Sequence, residues 1–134
     1  MSYFLFLDDI REVKDVTWVN LPSGNWHIVR NYQQFVDKIE KDGMPYTISF
    51  DHDLATEHYS FSSIYKEKTG ADCARWLVNY CIEKNLKLPK YTIHSMNPVG
   101  ADNIKSILIS YQKFLSKEWI SNLILKIVFG YWCW

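Results

Sequence analysis

The chain has 134 residues, of which 48% are hydrophobic and 16% aromatic, a size and composition that predict one domain over 1–134 and argue against a second. Fifteen Lys and Arg balance fifteen Asp and Glu, which removes the general phosphate attraction of a basic binder of duplex DNA or RNA and leaves a small anionic ligand as the compatible partner. Cys73, Cys81 and Cys133 are odd in number and lack C-x-x-C spacing, so a reducing, cytoplasmic setting is expected rather than a disulfide framework.

Tyr3 to Leu7 is apolar but too short for a leader, has no preceding Lys or Arg and runs into Asp8-Asp9; it predicts a buried strand. Residues 10–25 contain Pro22 and Gly24 and no sustained apolar stripe, which predicts an irregular crossover with at most one turn of helix. Trp26 to Val29 reads as a second strand. Asn31 is placed to cap a helix whose apolar face is Tyr32, Phe35, Val36 and Ile39, ended by Gly43 and Pro45.

Tyr46 to Phe50 predicts a third strand, and 56–68, rich in Ser, Tyr, Glu and Lys, a long exposed loop of the kind that serves as a lid or binding loop. Its aromatic stretch Tyr59 to Tyr65 could stack on a base. Thr69 followed by Asp72 signals a capped helix with the stripe Cys73, Trp76, Leu77, Tyr80 and Cys81. Tyr91 to Ile93 is a fourth strand. Asn97-Pro98 opens a third helix with the stripe Ile104, Ile107, Leu108, Tyr111 and Leu115. The last apolar stretch, from Ile120, is broken by Ser121, Asn122 and Lys126 and falls short of the ~18 to 20 residues of a membrane span.

None of the four strands shows clean alternation, as expected where a parallel sheet is covered on both faces. Strands alternating with helices predict right-handed βαβ units and a three-layer α/β/α sandwich around a mainly parallel sheet of four or five strands.

Ligands of such sheets bind beyond the carboxyl ends of the strands. Those ends carry Asp8-Asp9, Arg30-Asn31, Asp51-His52-Asp53 and His94-Ser95-Met96-Asn97. Two carboxylates ~4 Å apart repel by ~4 kcal/mol at an effective dielectric near 20, so the cluster needs neutralising. Either a divalent cation does so, Mg²⁺ or Mn²⁺ by the oxygen-rich donor set, or one carboxyl holds its proton and acts as an acid. The helix entry Asn97-Pro98-Val99-Gly100 adds amides suited to a phosphate. His27 and His58 read as ordinary structural histidines.

Phe6-Leu7-Asp8-Asp9, Ile48 to Leu54 (ISFDHDL), Thr69-Gly70-Ala71-Asp72 and Ile93 to Ala101 (IHSMNPVGA) together resemble the cyclic-phosphate-processing receiver-like domain family of bacteria and phages, over about residues 2–115. The most specific elements are Asp-His-Asp-Leu after strand three and His-Ser-x-Asn-Pro after strand four. The resemblance implies a flavodoxin-type sheet and an acidic pocket that acts on cyclic phosphates of nucleotides or RNA ends. It also implies Asp8, Asp9 and Asp51 as metal ligands, with His52, Asp53, His94 and Asn97 as the family's own signature. The chain departs from signalling receivers in its lysine: the candidate is Lys126, without a following proline. The tail Phe129, Tyr131, Trp132 and Trp134 lies outside the resemblance and suggests a sheet-completing, helix-covering or homo-oligomeric role.

The reading that follows is a metal-assisted phosphoesterase opening a cyclic phosphodiester. His94 is the expected general acid, and His52 or Asp53 the activator of water. Arg30, Ser95, Asn97 and Gly100 are the expected phosphate contacts. Two alternatives stand beside it: a sponge that sequesters a cyclic nucleotide without cleaving it, and a signalling receiver phosphorylated on Asp51.

Overall fold

The computed structural model describes residues 2–54 and 68–128. Four strands, β1 (Phe4–Leu7), β2 (Trp26–Val29), β3 (Thr47–Phe50) and β4 (Lys90–Ile93), form one parallel sheet in the order β2-β1-β3-β4. Three helices follow β2, β3 and β4: α1 (Tyr32–Asp42), α2 (Gly70–Lys84) and α3 (Pro98–Val128). This is the receiver-like α/β architecture anticipated from the strand and helix signals, but among the described residues all three helices pack on one face, so the second helical layer of the expected α/β/α sandwich is not among them.

Local chemistry sets the helix ends. The Asn31 side chain accepts from the Gln34 amide and opens α1, which stops at Gly43, a residue at φ 82° that suits glycine. Thr69 and Asp72 cap each other reciprocally at the start of α2, and Asn85 closes it in the left-handed region at φ 54°. The crossover from β1 to β2 holds a single 3-10 turn, Val13–Asp15, as its composition predicts.

Parity along the strands divides the interior. Leu5, Leu7, Val29, Ile48 and Phe50 join Phe35 and Ile39 of α1, Leu77 of α2, and Ile104 and Leu108 of α3 in one core cluster. The intervening residues face the other way. On that face Phe4 meets Trp26 edge-on and stacks with Tyr46, while Phe6 stacks on His94. Among the described residues the cover there comes from the irregular 10–25 segment in place of a helix: the Trp18 indole donates to the His94 carbonyl, and the Trp26 indole to that of Pro22.

The expected third stripe is present, but α3 does not stop near Leu115. The Leu123 to Ile127 stretch around the candidate lysine Lys126 lies inside this helix, and the described sheet has four of the four or five strands expected. The run of Leu, Ile and Lys there has strong helix-forming members and no breaker to end the helix. Of the expected loop 56–68, residues 56–67, including His58 and the Tyr59 to Tyr65 stretch, lie outside the described residues, as does the tail from Phe129 with Cys133. No helix among the described residues is long and apolar enough to cross a membrane.

Candidate functional site

Strand register brings the site together. Leu7 pairs with Val29 and Phe50, and Phe50 with Ile93, so the residues one step further along, Asp8, Arg30, Asp51 and His94, end the four strands side by side. The ladder continues into them: the Asp8, Asp51 and His94 amides donate to the carbonyls of Val29, Leu7 and Phe50. Between β1 and β3 the crossovers leave in opposite directions, which is where an open α/β sheet forms its ligand crevice.

Asp8, Asp51 and His94 are all buried, and one ligand atom from each lies within 4.8 Å of the others. Donors around a shared cation at ~2.1 Å stand up to ~4.2 Å apart, so sub-ångström side-chain adjustment would close the set on an ion. Two carboxylates and an imidazole suit a divalent metal with mixed oxygen and nitrogen preference.

The electrostatics fit that reading. Burial alone would raise the Asp8 carboxyl, but hydrogen bonds from His94 and from the Arg11 and Ile10 amides outweigh it and hold Asp8 well below the usual carboxylate range. Asp51 is shifted the other way: burial first, then the neighbouring Asp8 charge, raise it against a backbone bond from the His52 amide and the weaker pull of nearby His94. One carboxylate is therefore well compensated and its neighbour is not, the condition an added cation relieves.

Above the trio opens a cleft of about 380 Å³ lined by Asp9, Ile10, Arg11, Asp51, Asp53, Ser95, Met96 and Asn97. Asp9, expected as a ligand, lines this cleft and stands outside the close trio. Asp53 projects into solvent, its side chain 66% exposed, with one oxygen 2.9 Å from His52 Nδ1 and both facing the Asn97 amide group at 3.4 Å.

His52 lies over the start of α3, where any side chain on Gly100 would overlap its ring. That contact, rather than phosphate binding, accounts for glycine at 100. The Gly100 amide is bonded by the Asn97 side chain and Pro98 has no N–H, so the helix entry offers an anion less than expected. The Ser95 hydroxyl accepts from the Asn97 amide and helps shape the same turn. Gly70 presses on the Asp51 carbonyl, again leaving no space for a side chain, and its amide donates to the His52 carbonyl at 2.8 Å.

Two expected roles look different in place. Arg30 does not line the cleft; its Nη1 spans the carbonyls of Asp8 and Arg11 at 3.2 and 2.6 Å and ties the 8–11 turn to β2. His94 is fully buried between Asp8 and Ser49 and so underlies the cleft instead of lining it.

Arg11 was not singled out in the sequence. Its guanidinium lies 3.5 Å from Asp8 Oδ2, bonds Met96 Sδ at 3.6 Å and rests on Trp18 at 5.4 Å. The available signal was its spacing, three residues beyond an Asp at a strand end, which brings a cation back over the carboxylate when the chain turns.

Cys73 and Cys81 are buried, unpaired and pushed upward by burial, Cys81 to about 11. Neither is poised as a nucleophile.

Sheet order, strand-end acids and a cleft at the switch point define a receiver-like domain with an acidic ligand site. The sequence matches the Cyclic-phosphate processing Receiver domain over residues 3–110, and the chain belongs to that family. No curated protein and no solved structure matches it.

Proposed function

We propose that this domain hydrolyses a cyclic phosphate ester in the cleft above Asp8, Asp51 and His94, with a divalent cation held by those three side chains. The observation that carries the reading is their buried convergence at the sheet's switch point. When bound, Mg²⁺ or Mn²⁺ would supply charge compensation and polarisation of a phosphoryl oxygen.

The chain's own groups divide the remaining work. Arg11, at the cleft wall and only partly buried, takes the phosphate's negative charge in the role expected of Arg30. Asp53, exposed and oriented by His52 and Asn97, accepts the proton of the attacking water. As that oxygen bonds to phosphorus, one ring P–O bond breaks, and the departing oxygen takes its proton from the open, solvated cleft. His94, buried, would hold the cation through Nε2 rather than reach the leaving group. Asp9 lines the wall and sets its charge. The cleft suits a small cyclic phosphate or an RNA end.

The test is incubation with Mg²⁺ or Mn²⁺ and, in turn, 2′,3′-cyclic nucleotides, 3′,5′-cyclic nucleotides and cyclic oligonucleotides, read by mass. One class should gain a water, and Asp51→Asn should abolish the gain. Recovery of only unchanged ligand from every class, including ligand released from a denatured complex, would replace hydrolysis by sequestration.

A further inference from the structure

The His94 ring is held on both edges. Nε2 lies 3.0 Å from Asp8 Oδ2, and Nδ1 lies 2.6 Å from the Ser49 hydroxyl. Its face is stacked on Phe6 with centroids 4.6 Å apart and planes 2° from parallel. Ser49 and His94 are both fully buried, so each ring nitrogen is confined to the partner that strand register gives it.

A neutral imidazole carries one N–H, and the two nitrogens need opposite partners. With the proton on Nε2, the ring donates to Asp8 and Nδ1 must accept. With the proton on Nδ1, Nε2 presents a lone pair, which the Asp8 carboxylate cannot satisfy and a metal cation can. The partner at Nδ1 must therefore donate in the first state and accept in the second. A hydroxyl does both by rotating its O–H.

We infer that Ser49 is a positioning residue that lets His94 exchange tautomers, from proton donor to Asp8 in the metal-free protein to Nε2 ligand in the loaded one. The ring holds one proton before and after; it leaves Nε2 and Nδ1 gains one, while the Ser49 hydroxyl turns from donor to acceptor. The inference rests on the metal-assisted reading of the site and assigns Ser49, which makes no contact with substrate, a part in metal capture.

The test uses the full chain labelled with ¹⁵N at histidine. Ring ¹⁵N shifts of His94 should report an Nε2–H ring without metal and an Nδ1–H ring after saturation with Zn²⁺, a diamagnetic probe. In parallel, Mn²⁺ affinity should fall by roughly 10- to 100-fold in Ser49→Ala and recover to within about threefold in Ser49→Thr. A merely structural serine would shift the unfolding midpoint without changing the tautomer or its exchange.

An Nε2 proton that survives Zn²⁺ saturation, or undiminished Mn²⁺ affinity in Ser49→Ala, overturns the assignment. Should that variant fail to fold, the tautomer of the wild-type ring decides alone. Metal capture through this exchange with no turnover of any cyclic phosphate would uphold Ser49 and remove the catalytic reading. A chain that takes up neither cation would remove Ser49's role and leave hydrolysis to its own assay.

Discussion

Phe6 lies flat against His94, ring to ring at 4.6 Å with planes 2° apart, so a fully buried aromatic of the first strand fixes the plane of an imidazole 88 positions later in the chain. The stacking leaves the ring free to act only at its edges, toward Ser49 and Asp8. Phe6→Leu keeps the site apolar but removes the flat support. It should cost about 1 to 2 kcal/mol of stability, including the ~0.5 to 1.5 kcal/mol of the ring pair itself. Urea unfolding with and without Mn²⁺ should show metal stabilisation shrinking alongside the basal loss.

The two glycines beneath the site make different predictions. Alanine at 70 would meet backbone, the Asp51 carbonyl and His52 Cα, and neither can move without shifting the end of β3. Alanine at 100 would meet the His52 ring, a side chain able to swing away. Gly70→Ala should therefore destabilise by about 1 to 3 kcal/mol or more. Gly100→Ala should destabilise less than Gly70→Ala while losing turnover, because the displaced His52 no longer orients Asp53. Thermal unfolding and cyclic-phosphate hydrolysis, measured side by side, separate them.

Stability should depend on pH through two carboxyls of opposite sign. Asp8 titrates lower in the folded chain than unfolded, so its contribution is full above the unfolded value of ~3.9 and is lost as pH falls from there through the folded pKa. Asp51 titrates higher when folded; its contribution is present below the unfolded value and is lost as pH rises through the folded pKa. Without divalent ions at neutral pH, Asp51→Asn should therefore raise the urea midpoint and Asp8→Asn lower it. Added Mn²⁺ should stabilise the wild type and leave Asp51→Asn almost unchanged.

Arg11 stands where a cation already leans on Asp8, through a contact of 3.5 Å. Its removal should affect metal and phosphate in opposite directions. In Arg11→Ala, calorimetry should find Mn²⁺ bound more tightly, because a competing positive charge has gone. The KM for a cyclic phosphate should rise by roughly 10- to 100-fold, since a charge-assisted hydrogen bond is worth ~1.5 to 3 kcal/mol. Arg11→Lys should fall between.

Most of what places the site could be read from residue types. Strand ends rich in Asp and His, capping signals at Asn31, Thr69 and Asn97, and a crossover without an apolar stripe all have local causes, and they recur in the structure. Parity relative to register could not be read in advance. Asp8, Asp51 and His94 meet because each falls on the face opposite the helices, in step with Phe6 and Ser49, and this depends on which residues pair across strands. The runs Phe4 to Leu7 and Thr47 to Phe50 are buried on both sides, so their hydrophobicity carries no mark of which face is which. Ser49 inside a buried strand and Arg11 in an irregular turn were hidden for that reason. The reach of α3 is illegible on other grounds: its apolar stripe ends before the helix does, and a stripe marks only the part of a helix that is buried.

That last helix has a consequence of its own. Its 31 residues span ~46 Å at 1.5 Å per residue, yet its buried side chains, Ile104, Leu108 and Tyr111, belong to the first four turns, and Trp119 is already 65% exposed. Amides before about Tyr111 can exchange only when the domain opens, whereas those beyond Leu115 have, among the described residues, only the Asn85, Leu86 and Lys87 segment beside them to add to their own backbone bonds. A single unbroken rod thus carries two protection regimes, with the boundary set where its contact with the core of the described residues ends.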